Sequence, residues 1–446
     1  MLRLQTLKKS LLDDGDKPYH HRFSSKIIKL AIDLHGHATV GCRKITRILE
    51  VFSKNENSTA VPHHTTIRQW ILRYACHHLQ SPLDHGDDWL LIGDLTISVG
   101  KLKCLATLGV RMETLKNRED LTLAHKDVEV LGIYPTEKST GEFIEEALAD
   151  SAKRIGGKFL AVVIDQGADI KKGANLFKEK HPFLKIMHDI GHKLSNVMEH
   201  ELKNDPQWSK YVQQLNFTRR SAFQTEFAAL MPKKQREKGR FMDIGDLVNW
   251  PQRVLKIKEE GLLNQLSKER YEKYLGWIET TYIEDLQIWG CMEGIVRMIK
   301  ETTRMHGLSL DVYKYIKMFL AQASLKGDRI QKFISKTLNT VWEEVAKLDK
   351  KEVIISSTEV IESIFGKYKA INEGLHGITS NILGLCTFVG KTRSIIEIKK
   401  AMETWSVKKA IEFVKEKFGP TLSSLRRRYY PPIKRTKFDK APTFSF

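Results

Sequence analysis

The sequence predicts a mixed α/β protein. It has a five-stranded sheet with helices on both faces, a helical unit before it and a large all-helical insertion within it. Three observations lead there. The apolar period switches from helical to strand-like at Trp89. Strands and helices then follow in the order strand-strand-strand-helix-strand-helix-strand. Strand signals finally vanish between Lys193 and Lys351, where one helical pattern succeeds another.

Size and charge narrow the class. A chain of 446 residues, 41% hydrophobic, supports a sizeable core and about two to four domains. Lys and Arg number 73 against 54 Asp and Glu, a formal charge of +19, which attracts polyanions, nucleic acid above all. Cys42, Cys76, Cys104, Cys291 and Cys386 lie far apart and form no C-x-x-C, so neither a disulfide framework nor a zinc finger is indicated. No apolar run approaches the ~20 residues that span a bilayer, and the first residues lack an apolar signal core. An intracellular soluble protein is expected, in the cytoplasm and nucleoid of a bacterium or the nucleus of a eukaryote.

Residues 1–23 are expected to be loosely ordered. Residues 24–80 carry three helical patterns, the first ending near Gly36. In the third, Ile67, Trp70, Ile71 and Tyr74 share a face, and Pro62 suits a first turn. That pattern fits a helix-turn-helix with Pro62–Leu79 as recognition helix and His63, Thr65, Arg68, Gln69 and Arg73 available to DNA. A plain three-helix bundle gives the same pattern. "SPLDHGDD" (81–88) reads as a linker.

The sheet region, 88–192, contributes "WLLIGDLTIS", "LKCLATLGVRME", "DVEVLGIYP", "KFLAVVID" and "FLKIMHD" as strands. The fourth is continuously apolar, as expected of a strand covered on both faces. "TGEFIEEALADSAKRIG" and "ADIKKGANLFKEKH" are the intervening helices. Residues 193–351 form the insertion, in which Trp250, Trp277 and Trp289 read as amphipathic-helix core. Residues 352–420 return to the sheet unit with the helix "STEVIESIFGKYK". The tail, 421–446, is basic and proline-containing; Arg426, Arg427 and Arg428 make it a candidate nucleic-acid-contacting arm.

Three acids stand out. Asp94 interrupts the first strand, Asp165 ends the fourth, and Glu362 sits early in the late helix. A buried carboxylate is costly unless paired or metal-bound. If strands one and four are neighbours, Asp94 and Asp165 lie side by side and repel, unless a divalent cation sits between them. A third carboxylate from a covering helix completes an oxygen-rich site for two Mg²⁺ ions about 4 Å apart, with Mn²⁺ as a substitute. Lys171, Lys172, Lys193 and Lys369 would then hold a nucleic-acid backbone. Each aspartate alone would equally suit a turn or a cap. Glu359 competes with Glu362, but Ser356-Ser357-Thr358-Glu359 matches a capping box, which gives Glu359 a structural task.

With these residues in order, the chain resembles the DDE/D transposases with an RNase H-like catalytic fold, and within them the hAT-like branch, here of the kind found in bacterial insertion sequences. "DIGHKLSN" (189–196) is similar to that branch's C/D-x-x-H signature, "VIDQGADIKKGA" to its second-aspartate segment and "ESIFG" to the surroundings of its glutamate. The resemblance covers roughly residues 88–400. It implies metal-dependent DNA cleavage and strand transfer, with Asp94, Asp165 and Glu362 as metal ligands. It places Asp189 and His192 near the scissile phosphate and implies double-stranded transposon-end and target DNA as partners of a homodimer or larger oligomer. Read from the residues alone, His192 is also an ordinary helix-start histidine. Many relatives begin with a zinc-binding finger, for which this chain has no Cys/His spacing, and relatives stack a flipped base on a tryptophan of the insertion, which gives Trp250, Trp277 and Trp289 a second reading.

Overall fold

A computed structural model describes residues 16–53, 60–97, 101–157, 159–232, 244–261, 268–323, 325–372, 377–419 and 428–430. Helices α1 (Ser25–Gly36), α2 (Cys42–Ser53) and α3 (His64–Gln80) come first. Strands β1 (Trp89–Ile97), β2 (Lys103–Arg111) and β3 (Val128–Thr136) form an antiparallel meander. Helix α4 (Gly141–Arg154), strand β4 (Ala161–Ile164), helix α5 (Ala168–Lys180) and strand β5 (Lys185–His188) follow. The five strands lie in the order β3-β2-β1-β4-β5, with β4 and β5 running parallel to β1. The mixed α/β class and the five-stranded mixed sheet therefore stand as expected.

Both faces of the sheet are covered, because successive strand residues point to opposite sides. Leu91, Val162 and Ile164 join one core, under Ile144 and Leu148 of α4 and Ile170 and Phe177 of α5. Leu90, Ile92, Ala161 and Val163 join the other, much larger core. By the same alternation Asp94 and Asp165 belong to the second face.

Helix α6 (Ile190–Lys203) enters that second face directly from β5. The helical region continues with α7 (Pro206–Ala222), α8 (Ile244–Glu259), two short helices (Lys268–Leu275 and Trp277–Thr281), α9 (Ile283–His306), α10 (Leu310–Gln322) and α11 (Asp328–Val345). Among the described residues its only β-bridge pairs Leu308 with Ile354. Trp208, Tyr211, Trp277, Tyr282 and Trp289 pack ring against ring at its centre. Trp289 is fully buried, with its indole N–H on Asp205, and buried Trp250 donates to the Leu230 carbonyl. Of the two readings of Trp250, Trp277 and Trp289, the structure places all three in helix packing.

Helix α12 (Glu359–Ile371) returns the chain to the sheet and packs on β1. Helices α13 (Ile395–Thr404) and α14 (Val407–Phe418) then pack against α3, inside the same hydrophobic core as the N-terminal helices. Residues 24–80 thus do not stand apart. Residues 16–23, expected to be loose, are tied down: the Tyr19 N–H donates to Glu403 on α13. The segment 81–88 is pinned too. Arg154 donates to the carbonyls of His78 (2.6 Å) and Ser81 (3.2 Å), and Arg111 pairs with Asp84 and Asp88. Most of the tail lies outside the described residues. No helix among those described is long and apolar enough to cross a membrane.

Candidate active site

The register sets two of the acids side by side. Gly93 of β1 faces Ile164 of the parallel β4, so Asp94 and Asp165 are the next residues along adjoining strands. Asp94 is partly buried, and its Oδ1 accepts the N–H of Leu95 at 2.7 Å. Burial pushes its carboxyl up to about 6, opposed by that hydrogen bond, with the charges of Asp165 and Glu362 adding to the rise. Asp165 is held below its usual range chiefly by His192, and it accepts the N–H of Gln166.

His192 joins the constellation together. Its Nδ1 lies 3.1 Å from Asp165 Oδ1, and its Nε2 lies 2.8 Å from Glu362 Oε1. The Nδ1 contact is a charge contact and lies off the hydrogen-bond line. Asp165 first, and then Glu362, raise the imidazole to about 11 against the opposing effect of burial. At neutral pH His192 is therefore an imidazolium between two carboxylates.

Asp189 braces the arrangement. It is 3% exposed, and its Oδ1 caps α6 by accepting the N–H of His192 at 2.8 Å. Its Oδ2 accepts the N–H of Thr358 at 2.5 Å and the Thr358 hydroxyl at 2.8 Å. One carboxylate thus fixes the start of the His192 helix to the start of the Glu362 helix. The resemblance implies that Asp189 lies near the scissile phosphate; the structure gives it this bracing contact with Thr358, which the sequence offered only as part of a capping box. No sequence pattern shows that partnership, because the two residues lie far apart along the chain.

The same brace changes the expected capping box. Helix α12 starts at Glu359, with Thr358 as its N-cap residue and the Ser357 hydroxyl accepting the Glu359 N–H at 3.2 Å. Ser356 is buried upstream and gives its carbonyl to the Ile190 N–H. Glu359 points away from the acids, 3.7 Å from Arg304, while Glu362 meets His192.

The donor set Asp94, Asp165 and Glu362 consists of hard carboxylate oxygens, the chemistry that Mg²⁺ and Mn²⁺ select. The carboxyl of Asp94 is partly buried with no cation paired to it among the described residues, and an imidazolium stands between the other two. These oxygens are of the kind a divalent ion takes, and His192 is the cation beside Asp165 and Glu362 in this structure. As they stand, no three of the described His, Cys, Asp and Glu residues are gathered around one point.

The residues expected to touch DNA divide sharply. Arg73 is buried, and its guanidinium donates to the carbonyls of Met402 and Trp405 at the C-terminal end of α13. Arg68 donates to Asn381 (2.8 Å) and Ser380 (2.6 Å). Lys193 is buried, with its ammonium on Glu343 (2.7 Å) and Glu344 (2.9 Å). The structure uses all three to hold the fold together. Nor does α3 lie open like a recognition helix: from Trp70 to Cys76 every residue is buried. Solvent reaches it at the first turn, at Arg68 and at Gln80, with His63 capping the first turn (His63 Nδ1 to Thr65 Oγ1, 2.8 Å) and Gln69 half-buried. Lys171, Lys369 and Arg428 are exposed, and Lys172 makes an exposed pair with Glu142 at 2.6 Å. Arg426 and Arg427 lie outside the described residues.

No family model matches the chain, and no curated protein matches it.

Proposed function

We propose that the protein is a metal-dependent DNA strand transferase, a DDE/D transposase of the hAT-like branch built on an RNase H-like sheet. The observation that carries the reading is the bridge His192 makes between Asp165, at the end of β4, and Glu362 of α12, with Asp94 beside Asp165 on the adjoining β1. The strand order β3-β2-β1-β4-β5, with its antiparallel meander and parallel β4 and β5, supports the RNase H-like assignment.

Asp94, Asp165 and Glu362 would hold Mg²⁺, which when bound supplies the Lewis acidity that phosphoryl transfer requires. In that transfer a water or a 3′-hydroxyl oxygen forms a bond to phosphorus, and the bond from phosphorus to the bridging 3′-oxygen breaks. His192 orients Asp165 and Glu362 and balances their charge while they carry no metal. Asp189 keeps the two helices that present His192 and Glu362 in register. Contacts to the DNA backbone would come from His63, Thr65, Lys171, Lys172, Lys369 and the tail arginines rather than from Arg73 or Lys193. Action on two DNA ends implies at least a homodimer.

The test is Mg²⁺- or Mn²⁺-dependent nicking by wild type and Asp165→Asn, with DNA binding followed in parallel. The proposal expects the variant to bind DNA and not nick; retained nicking would sink the site assignment. Cleavage by the wild type without joining of 3′-ends to a target would make the protein a nuclease on the same fold, and excision failing with both steps absent would make it an inactive DNA-binding descendant.

A further inference from the structure

The catalytic reading gives no task to the face where α1, α2 and α3 meet the end of α12. A cleft of about 490 Å³ opens there. Ile71, Leu72 and Ile371 supply apolar lining. Arg43, Lys44 and Arg68 supply the charge, with His64 beside them and the amides of Asn372 and Asn381. Among the described residues no Asp or Glu lines it.

The imbalance is built into the surrounding helices. α3 carries no acid. The one acid of α1, Asp33, engages Lys29 and Arg393. The one acid of α2, Glu50, stands near its far end, while Arg43 and Lys44 occupy its first turn. A helix start carries partial positive charge and favours an anion, so these two cations are held against the dipole. Loss of hydration first, and then the charges of His63 and Arg43, hold His64 below its usual range. Arg43 and Lys44 are exposed and have no ion pair among the described residues. The Arg68 guanidinium donates to neutral oxygens, those of Ser380 and Asn381. Exposed Arg47 follows Arg43 at i, i+4, about 5–6 Å along α2, so the positive surface runs on beyond the cleft. Cations in a row, without acids between them, match a polyanion better than a single small anion.

We propose that this cleft seats backbone phosphates of duplex DNA, with Arg43 and Lys44 taking their non-bridging oxygens and Arg68 behind them. The N-terminal helices then meet the duplex through the start of α2, not through the length of α3. This inference rests on the nucleic-acid reading above.

The experiment measures binding of mixed-sequence duplex DNA to the full chain by fluorescence anisotropy, in chelator and at several salt concentrations. It compares wild type, the double variant Arg43→Ala/Lys44→Ala, the charge-conserving pair Arg43→Lys/Lys44→Arg, and a control pair on the opposite side of the sheet, Lys153→Ala/Lys178→Ala. The double variant should bind about tenfold or more weakly and flatten the slope of log affinity against log salt by about two. The charge-conserving pair should bind nearly as wild type, the control pair should lose far less, and no variant should melt below wild type. Unchanged affinity and slope in the double variant overturns the proposal, as does an equal loss in the control pair or a loss that the charge-conserving pair shares. Inorganic phosphate and a nucleoside triphosphate are titrated against the same proteins. If the double variant loses only their binding and keeps DNA, the cleft is a small-anion site and the proposal falls. Nicking by wild type and Asp165→Asn runs separately with Mg²⁺. If the double variant loses DNA while the wild type never nicks, the phosphate cleft stands and the strand-transferase reading falls. If nicking depends on Asp165 while the double variant binds as wild type, the reverse holds.

Discussion

Replacing Arg73 by leucine separates two accounts of α3. A recognition helix would lose DNA affinity and keep its stability. The structure requires the reverse. The Arg73 guanidinium sits on the Met402 and Trp405 carbonyls, and Trp405 is the residue that ends α13. The last carbonyls of a helix have no partner within it and carry partial negative charge, so a cation there satisfies and stabilises them. Leucine leaves two carbonyls buried without donors, at about 1–3 kcal/mol each, and regains part of that through its own apolar burial. The expected net loss is about 2–4 kcal/mol. Urea or thermal denaturation of the metal-free protein measures it, with the affinity of the folded variant for DNA measured in parallel. A variant within about 0.5 kcal/mol of wild type that binds DNA tenfold more weakly would refute the reasoning and restore α3 as a DNA-reading helix.

Other expectations follow from the same structure. Asp189→Ala removes the cap on α6 and strands the Thr358 N–H, costing about 2–4 kcal/mol in denaturation and slowing nicking through a displaced Glu362. Lys193→Met leaves Glu344, 1% exposed, with Lys347 and the His188 N–H, so the loss should fall near the low end of the ~3–5 kcal/mol for a broken buried pair. Asp94→Asn should stabilise the metal-free protein. The carboxyl is raised from 3.8 to about 6, so its stabilising contribution is complete below 3.8 and lost as pH rises through about 6. The two-unit shift caps the gain at about 3 kcal/mol near neutral pH, closing below pH ~4; a pH-independent gap between variant and wild type in melting experiments would contradict it.

The sheet was legible because its signals are local. β1, β2, β4 and β5 fall within the apolar runs that announced them, β3 outruns its own by one residue, and the unbroken apolar run of β4 reflected burial on both faces. The acids were legible because a carboxylate inside an apolar strand needs a reason wherever the strand ends up. What the sequence concealed depends on distant partners. Arg68 and Arg73 sit on the non-apolar faces of an amphipathic helix and read as surface residues, but residues 402–405 bury Arg73, and Arg68, though exposed, is tied to Ser380 and Asn381. Lys193 looked like one more basic residue beside the acids, because Glu343 and Glu344 lie far along the chain. The capping box at Ser356 obeyed the local rule, but the buried carboxylate of Asp189 supplied a stronger partner and claimed Thr358.

The most direct measurement compares Mg²⁺-dependent DNA nicking by wild type, Glu362→Gln and Glu359→Gln at matched folded concentration. Glu362 meets His192 at 2.8 Å, whereas Glu359 faces Arg304. The account predicts nicking by wild type and Glu359→Gln and none by Glu362→Gln. Cleavage by Glu362→Gln at the wild-type rate would contradict it.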